Sequence, residues 1–242
     1  MTTDDPANDI LAALLRETAN SSASLPMALC ALCVRQLPMT GAAVVLQSTV
    51  GLDRLVAATS GLAIELEDLQ FELGEGPGVD ASRHDAPVLQ SDLAASGARW
   101  PLFVPAAIAV GGRAAFSFPL QVGGIRLGVL DLYRDSPGPL LDGILAHALA
   151  FARAGTAVLL HLQAQSTDSD ALHPALTGFT ADRSEIHQAT GMISAQAEVS
   201  LVDALLLLRA RTYALNSTML AVSRDVLARR LRFDPDTDRD AL

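Results

Sequence analysis

The spacing of apolar residues divides the first third of the chain into helices and strands. Apolar residues recur every three or four positions in segments 8–19 and 26–37, which predicts two amphipathic helices. Segments 42–48 and 54–59 have the short apolar runs typical of strands, and the short connection between them predicts a hairpin. A short helix is predicted for 61–70, so helices flank this first hairpin.

A second hairpin is predicted in the middle of the chain. Segments 114–122 and 125–133 have the composition of strands, and Gly123 and Gly124 between them are typical of a two-residue turn. Pro119 lies inside the first of these strands, which favours an edge position or a bulge there.

The stretch between the two hairpins is rich in glycine and proline. Residues 74–78 read Gly-Glu-Gly-Pro-Gly, which predicts a shaped loop, with a short strand at 87–90 and a helix at 99–110. Glycines can bring backbone N–H groups together around a phosphate. However, no Lys-Ser/Thr follows this motif, so a structural turn is the stronger interpretation.

A long helix is predicted for 140–165, which contains no internal proline. A three-four spacing of apolar and small residues indicates a coiled-coil-like seam through which two copies of the chain would dimerise. The alternative is an ordinary amphipathic helix that packs on its own domain. The seam consists of Leu141, Leu145, Ala148, Ala152, Gly155, Leu159 and Leu162.

The last quarter of the chain predicts a bundle of three helices. A polar stretch at 166–178 precedes it and is the best candidate for a linker. The first helix has a core stripe of Ile186, Ala189, Ile193 and Ala197. Ser200 is suited to cap the second helix, and Asn216 lies in the turn before the third.

Charge limits the classes of function. All 17 basic residues are arginine, and the formal net charge of −10 excludes a protein that coats nucleic acid without specificity. Residues 182–232 nevertheless hold seven arginines against five acids, a local net charge of +2. The polar, acidic N-terminus does not resemble a signal peptide, and no run of 18 uninterrupted apolar residues occurs. We therefore expect a cytoplasmic protein without a membrane span.

The residue types that carry chemistry do not form a catalytic pattern. Cys30 and Cys33 have the spacing of a redox pair, but they lie within an apolar helical run and are expected to be buried. No two of the five histidines have the spacing of a metal site on a helix. The sequence thus predicts no catalytic residues, no metal, no cofactor and no enzyme; a thiol redox enzyme using the two cysteines stays open as an alternative.

The segment Phe71-Glu-Leu-Gly-Glu-Gly-Pro-Gly-Val-Asp-Ala, together with the order of elements over about 10–165, resembles the GAF domains of GAF–ANTAR regulators. This resemblance implies an α+β fold around an antiparallel sheet, dimerisation, and an unidentified small-molecule ligand between the sheet and the shorter helices. Relatives often have Cys where this chain has Gly78, so a thiol sensor at that position is excluded. A domain that serves only as a dimerisation scaffold is the alternative.

The three-helix segment, about 178–232, resembles the ANTAR domain. The matching residues are Arg183, Ile186, Ala189, Gly191, Ile193, Ala204, Leu208, Arg209, Asn216, Met219 and Val222. The sequence departs from the pattern at Ser194 (usually Met), Thr212 (usually Ala) and Ser223 (usually Ala). The resemblance implies that dimers bind paired hairpins in nascent RNA and prevent a terminator from forming. The candidate RNA-binding residues are Arg183, His187, Gly191, Arg209, Arg211 and Arg224.

Together these observations predict a dimeric, RNA-binding transcription antitermination regulator. Its predicted parts are a GAF-like sensor at 1–165, a linker at 166–178, an ANTAR-like domain at 179–232 and an acidic tail at 233–242. A DNA-binding helical regulator is the other alternative, because three short helices also suit a helix-turn-helix. The absence of an obvious tight turn and the modest basic charge count against it.

Overall fold

The computed structural model describes most of the chain as two compact units. One unit comprises residues 1–47 and 53–178, and the other comprises 48–52 and 179–242. The described residues are 5–19, 23–47, 53–59, 61–165, 173–176 and 181–234, with side chains from 183 onward in the last range. The predicted hairpin connection, most of the predicted linker and most of the predicted tail lie outside these residues.

The first unit has the α+β fold predicted from the sequence. Its helices are α1 (Pro6–Thr18), α2 (Leu25–Gln36), α3 (Leu62–Leu73), α4 (Pro77–His84), α5 (Phe103–Ala109) and α6 (Asp142–Ala164). Its strands are β1 (Gly41–Leu46), β2 (Arg54–Ala58), β3 (Val88–Gln90), β4 (Ala114–Val122) and β5 (Ile125–Arg134). They form one antiparallel sheet in the order β2-β1-β5-β4-β3.

The β4–β5 hairpin is confirmed, with Val122 paired to Ile125 across the predicted turn. Pro119 pairs with Val129 of β5, whereas β3 covers only Ala115 to Ser117 on the other side of β4. Pro119 therefore lies where β4 forms the edge of the sheet, so its missing N–H removes no ladder hydrogen bond on that side.

Alternation along β5 divides the core between the two faces of the sheet. Leu130 and Leu132 point into a core that α1, α2 and α6 cover. Val129 and Tyr133 point into a second core that contains Trp100 and residues of α3 to α5. Asp131 lies between Val129 and Tyr133 in the strand, so it shares their face.

The small residues of α6 pack within the first unit, so most of the predicted dimer seam is not available to a second copy. Ala148, Ala152, Leu159 and Leu162 are buried in the first core. A Cβ added at Gly155 would lie 3.1 Å from a methyl carbon of Leu29 in α2 and 3.4 Å from one of Leu120 in β4. The small side chains therefore let α6 approach its own α2 and sheet. Periodicity identified the buried stripe but not its partner.

Helix α6 also has the apolar composition of a membrane span. Among the described residues, it can cross a membrane by length and composition, and α7 with α8 passes the same test only if the bent pair counts as one span. The most apolar window of α6 is 44% buried within the protein. The buried hydrophobic residues of α6 belong to the first core.

The second unit contains the predicted three helices: α7 (Ala181–Ala197), α8 (Leu201–Ala214) and α9 (Met219–Leu227). Ser200 caps α8 as predicted, since its hydroxyl oxygen accepts a 3.2 Å hydrogen bond from the Asp203 N–H. The predicted cap of α7, Thr180, lies outside the described residues. Phe233 is buried and its N–H donates to Gln196 Oε1 at 3.1 Å, so the unit extends to the first residue of the predicted tail.

Two local predictions in the first unit need correction. The predicted loop at 74–78 runs into α4, because Pro77 occupies the first turn of that helix, where a missing N–H costs nothing. The helix predicted for 99–110 begins only at Phe103, and Trp100 precedes it. In both places glycine or proline near a helix start obscured the boundary.

Candidate functional site

The first candidate site is a buried polar cluster between the sheet and α3. It consists of Glu67 and Gln70 on α3, Ser117 on β4, and Asp131 and Tyr133 on β5, all at most 3% exposed. Antiparallel register places Ser117 directly opposite Asp131. The two α3 residues are three positions apart and so lie on one face of that helix. Five polar side chains thus converge in an otherwise apolar core.

A chain of hydrogen bonds connects the glycine motif to the cluster. The Gly78 N–H donates to Gln70 Oε1 at 2.7 Å, and Gln70 Nε2 donates to the Tyr133 hydroxyl at 2.8 Å. The Tyr133 hydroxyl in turn donates to Glu67 Oε1 at 2.7 Å. The motif that suggested a phosphate cradle therefore directs this N–H inward, to a side chain of the protein.

Two carboxyl groups meet in this cluster. Burial raises the pKa of Asp131 from 3.8 to about 6, against the lowering effect of hydrogen bonds with Ser117 and Glu67. The Ser117 hydroxyl donates to Asp131 Oδ1. Two buried like charges also disfavour the doubly ionised form, so the fold favours the protonated form of Asp131 more than water does.

The glycines of the motif are required by how closely its backbone approaches the cluster. A Cβ at Gly78 would lie 2.8 Å from both carboxyl oxygens of Asp131, and one at Gly76 would lie 2.4 Å from Gln70 Oε1. Gly76 also has a φ of +132°, which disfavours other residues. Position 78 therefore leaves no room for a side chain without movement of Asp131.

Two acidic residues, Glu75 within the motif and Asp80 shortly after it, connect this segment to the residues around the start of α5. The Glu75 carboxylate accepts hydrogen bonds from the N–H groups of Leu102 and Phe103, at 2.9 and 3.2 Å, where α5 begins. Asp80 accepts from Trp100 Nε1 at 3.1 Å and pairs with Arg99 at 2.7 Å. The motif therefore ties α3, α4 and α5 together over the buried cluster.

The cysteine pair lacks the environment of a redox site. Cys30 and Cys33 are both buried, and the Cys30 thiol contacts the Ala57 carbonyl oxygen at 3.9 Å. Burial raises the pKa of both thiols above the ordinary value, whereas a reactive cysteine needs a stabilised thiolate. Within the described residues, no group of three or more His, Cys, Asp or Glu side chains could hold a metal ion.

The second candidate site is the set of residues predicted to bind RNA. Arg183, His187 and Gly191 follow one another at four-residue spacing along α7 and so share one side of that helix. Arg183 is only 8% exposed, and His187 and Gly191 are half-buried. Arg183 is therefore largely covered, whereas a Cβ added at Gly191 would meet nothing within 4 Å.

The other three predicted arginines lie on different surfaces. Arg224 of α9 is exposed and makes two hydrogen bonds to Glu185 of α7, at 2.8 and 3.1 Å. Its hydrogen bond lowers the pKa of Glu185. Arg211 lies over the Phe233 ring, 5.2 Å from the ring centre. Arg209 and Arg211 are two residues apart in α8, so they do not face the same way. The structure thus separates the six predicted residues into several groups.

Sequence reasoning missed Tyr213, which is 76% exposed on the last turn of α8. It lies one helical turn after Arg209 and therefore on the same side of the helix. A signal was present in the sequence: residues 204–224 contain three arginines, this tyrosine and no acid. Large aromatic side chains with such exposure are uncommon in a folded domain.

Comparison with known proteins finds similarity of fold. No family model matches the chain, and no curated protein matches it. A domain of a sensor histidine kinase from Sinorhizobium meliloti is 20% identical, with a TM-score of 0.47 over 57% of this chain and 90% of that one. The GAF domain of an Acinetobacter phosphoenolpyruvate-protein phosphotransferase is 14% identical, with a TM-score of 0.49 over 65% and 95%.

A third structure, the GAF domain of the corresponding Coxiella burnetii protein, is 18% identical with a TM-score of 0.48, over 66% of this chain and 96% of that one. At these identities the similarity concerns the fold alone. The similarity covers about 60% of the chain.

Proposed function

We propose that this protein is an RNA-binding regulator of transcription, in which a GAF-type sensory domain controls an ANTAR-like output that prevents termination. The observation that supports this output is the position of the ANTAR-like pattern in the fold. Its apolar members are all buried in the second unit: Ile186, Ala189, Ile193, Ala204, Leu208, Met219 and Val222. A pattern that combines core and surface positions over three helices is more specific than a stripe on one helix.

One polar member of the same pattern, Asn216, has a structural explanation. Asn216 has a φ of +45° in the turn between α8 and α9, a conformation that asparagine tolerates better than most residues. Its position explains the asparagine without any reference to RNA. Of the two arginines in the pattern, Arg183 is buried, so we propose the half-buried Arg209 as the member that holds a phosphate or stacks on an unpaired base.

The first unit supplies the input in this proposal. The cluster of Glu67, Asp131 and Tyr133 lies between the sheet and the short helices, where the GAF resemblance implies a small ligand. A ligand, or a change of protonation at the carboxyl pair, would alter the packing of α3 and α4 on the sheet and shift the population of output states. Because both cysteines are buried, we propose that the protein uses no thiol chemistry. We also propose, as the sequence led us to expect, that it acts in the cytoplasm.

We further propose that the protein acts as a homodimer, since the ANTAR resemblance implies paired hairpins. The inward stripe of α6 is occupied by the core, so the dimer would use the outward side of this helix. That side carries the exposed residues Leu149, Arg153 and Leu160.

One observation favours the alternative of DNA binding. α7 and α8 meet at 104° across a three-residue turn, and Glu198 in that turn has a φ of +53°. This angle falls in the range of helix-turn-helix motifs, so the expected absence of a tight turn no longer counts against them. In such motifs the first turn of the second helix contacts bases. Here that turn contains Leu201, Val202 and Asp203, which are poorly suited to a polyanion.

The proposal is tested with RNA recovered by ultraviolet crosslinking to the full-length protein in its host, transcribed and labelled as a probe. We expect unlabelled RNA of this sequence to compete for binding better than duplex DNA of the same sequence. Arg209→Ala should weaken binding, whereas Arg16→Ala, at an exposed arginine of α1 outside the proposed dimer surface, serves as the matched control. Failure to recover RNA, or better competition by duplex DNA, would overturn the proposal.

A further inference from the structure

Helix α8 presents an outward face that the bundle does not cover. Residues 202, 206, 209 and 213 follow one another at three- or four-residue intervals and lie within one narrow arc of the helix. Val202 is 56% exposed, Leu206 48% and Tyr213 76%. The fourth member, Arg209, lies between Leu206 and Tyr213 along this face. Such a face is accessible to another molecule.

The two ends of this face differ in chemistry. Its N-terminal end has Val202 beside Asp203, whose carboxylate accepts a 2.6 Å hydrogen bond from the Ser200 hydroxyl. Its C-terminal end has Tyr213 and the half-buried Arg209, and no acid occurs between residues 204 and 224. The other two arginines of that stretch, Arg211 and Arg224, lie on other surfaces. In a chain of net charge −10, this end is suited to a polyanion.

We propose that Tyr213 and Arg209 form a platform on which an unpaired base of RNA stacks, with the guanidinium beside the adjacent phosphate. This inference rests on the proposed RNA-binding function and adds the residue that contacts a base. Exposed aromatic rings bind unpaired bases through their faces, and arginine adds charge at the backbone. Duplex DNA offers no unpaired base, so the same platform would distinguish hairpin loops from duplex.

The position of Tyr213 also allows RNA binding to be distinguished from dimerisation through the same face. A dimer interface would be centred on apolar residues, and the aliphatic residues Val202 and Leu206 lie toward the other end of the face. Val202 is eleven residues from Tyr213, about 16 Å along the helix. A contact that depends on Tyr213 and not on Val202 therefore identifies the basic end as the binding surface.

The test uses full-length protein and the crosslinked RNA described above. We expect Tyr213→Ala to weaken binding about 10- to 100-fold, and Tyr213→Phe to bind as the wild type does, because the ring and not the hydroxyl stacks. Val202→Ala is the matched control and should leave affinity unchanged. Arg209→Ala should lower the dependence of log affinity on log salt concentration by about one charge, whereas Tyr213→Ala should not.

The possible results separate this inference from the function on which it rests. If the wild type binds the RNA and Tyr213→Ala binds equally well, the platform is wrong and the RNA-binding function stands. If the wild type binds no RNA, both are wrong. If Tyr213→Ala loses RNA binding only because sedimentation shows that it has become monomeric, the face belongs to a second copy and the platform is overturned.

Discussion

The Tyr133 hydroxyl joins the sheet to α3 by donating a 2.7 Å hydrogen bond to Glu67 Oε1 while accepting one of 2.8 Å from Gln70 Nε2. All three side chains are buried. Removing the hydroxyl leaves a carboxyl group and an amide without this shared partner in the core. We expect Tyr133→Phe to lower the free energy of unfolding by about 1–3 kcal/mol.

This prediction is measured by urea unfolding of the full chain, followed by the fluorescence of Trp100. Trp100 is the single tryptophan and lies in the same core as Tyr133. The chain supplies a matched control in its other tyrosine, because Tyr213→Phe removes an exposed hydroxyl and should change stability little. Equal stability of Tyr133→Phe and Tyr213→Phe would show that the buried hydroxyl does not hold α3 on the sheet.

The carboxyl pair predicts a dependence of stability on pH. Burial raises the pKa of Asp131 to about 6 in the folded protein, above its ordinary value of 3.8. Between these values the folded state binds more protons than the unfolded state, so this group stabilises the fold at low pH and its contribution is lost as pH rises through 6. We expect the loss to approach about 2–3 kcal/mol.

Asp131→Asn removes this titration while keeping a side chain of the same shape. We therefore expect the unfolding free energy of the wild type, measured from pH 4 to pH 7, to fall relative to that of the variant as pH rises. Asp142→Asn, an exposed acid at the start of α6, controls for the loss of one charge. A difference that stays constant with pH would mean that Asp131 does not titrate in this range.

The sequence predicted the elements that local chemistry determines. The β4–β5 hairpin follows from strand composition and a Gly-Gly turn, and the start of α8 follows from Ser200 as a cap. α4 was missed because the glycines before Pro77 are also typical of a loop. The buried face of α6 was found, but its partner was not, because periodicity reports which side is covered and not what covers it.

The polar cluster depends on contacts that sequence patterns cannot predict. Glu67 and Tyr133 are 66 residues apart and meet only because α3 packs on β5. Arg224 and Glu185 are likewise 39 residues apart. Single-sequence reasoning could name Arg224 as a candidate for RNA contact, but could not foresee its ion pair. The exposure of Tyr213 similarly required the packing of the whole three-helix unit.

The close approach at Gly78 predicts that even the smallest side chain is harmful there. A Cβ would lie 2.8 Å from both carboxyl oxygens of Asp131, so Gly78→Ala must displace either α4 or the aspartate. We expect a loss of about 1–3 kcal/mol, the usual cost of overpacking. Calorimetric melting measures it against Gly143→Ala in the first turn of α6, where a Cβ meets nothing within 4 Å. Similar melting temperatures for the two variants would contradict the close contact.

Replacing Ser223 with alanine should stabilise the second unit. Its side chain is fully buried in α9, and its hydroxyl has no hydrogen-bond partner among the residues that the structure describes. A buried hydroxyl without a partner costs free energy, and the ANTAR-like pattern usually has Ala here. Ser223→Ala should therefore raise the free energy of unfolding by about 1 kcal/mol, measured by circular dichroism during urea unfolding.

Ser194→Ala is the matched control, because its hydroxyl donates a 2.7 Å hydrogen bond to the Val199 carbonyl oxygen at the end of α7. That substitution loses a satisfied hydrogen bond and should lower stability by about 1 kcal/mol, opposite in sign to Ser223→Ala. The two serines differ in whether their hydroxyl is satisfied, so the sign of the change reports the hydrogen bonding directly. If Ser223→Ala instead destabilises the unit as Ser194→Ala does, the Ser223 hydroxyl has a partner in solution.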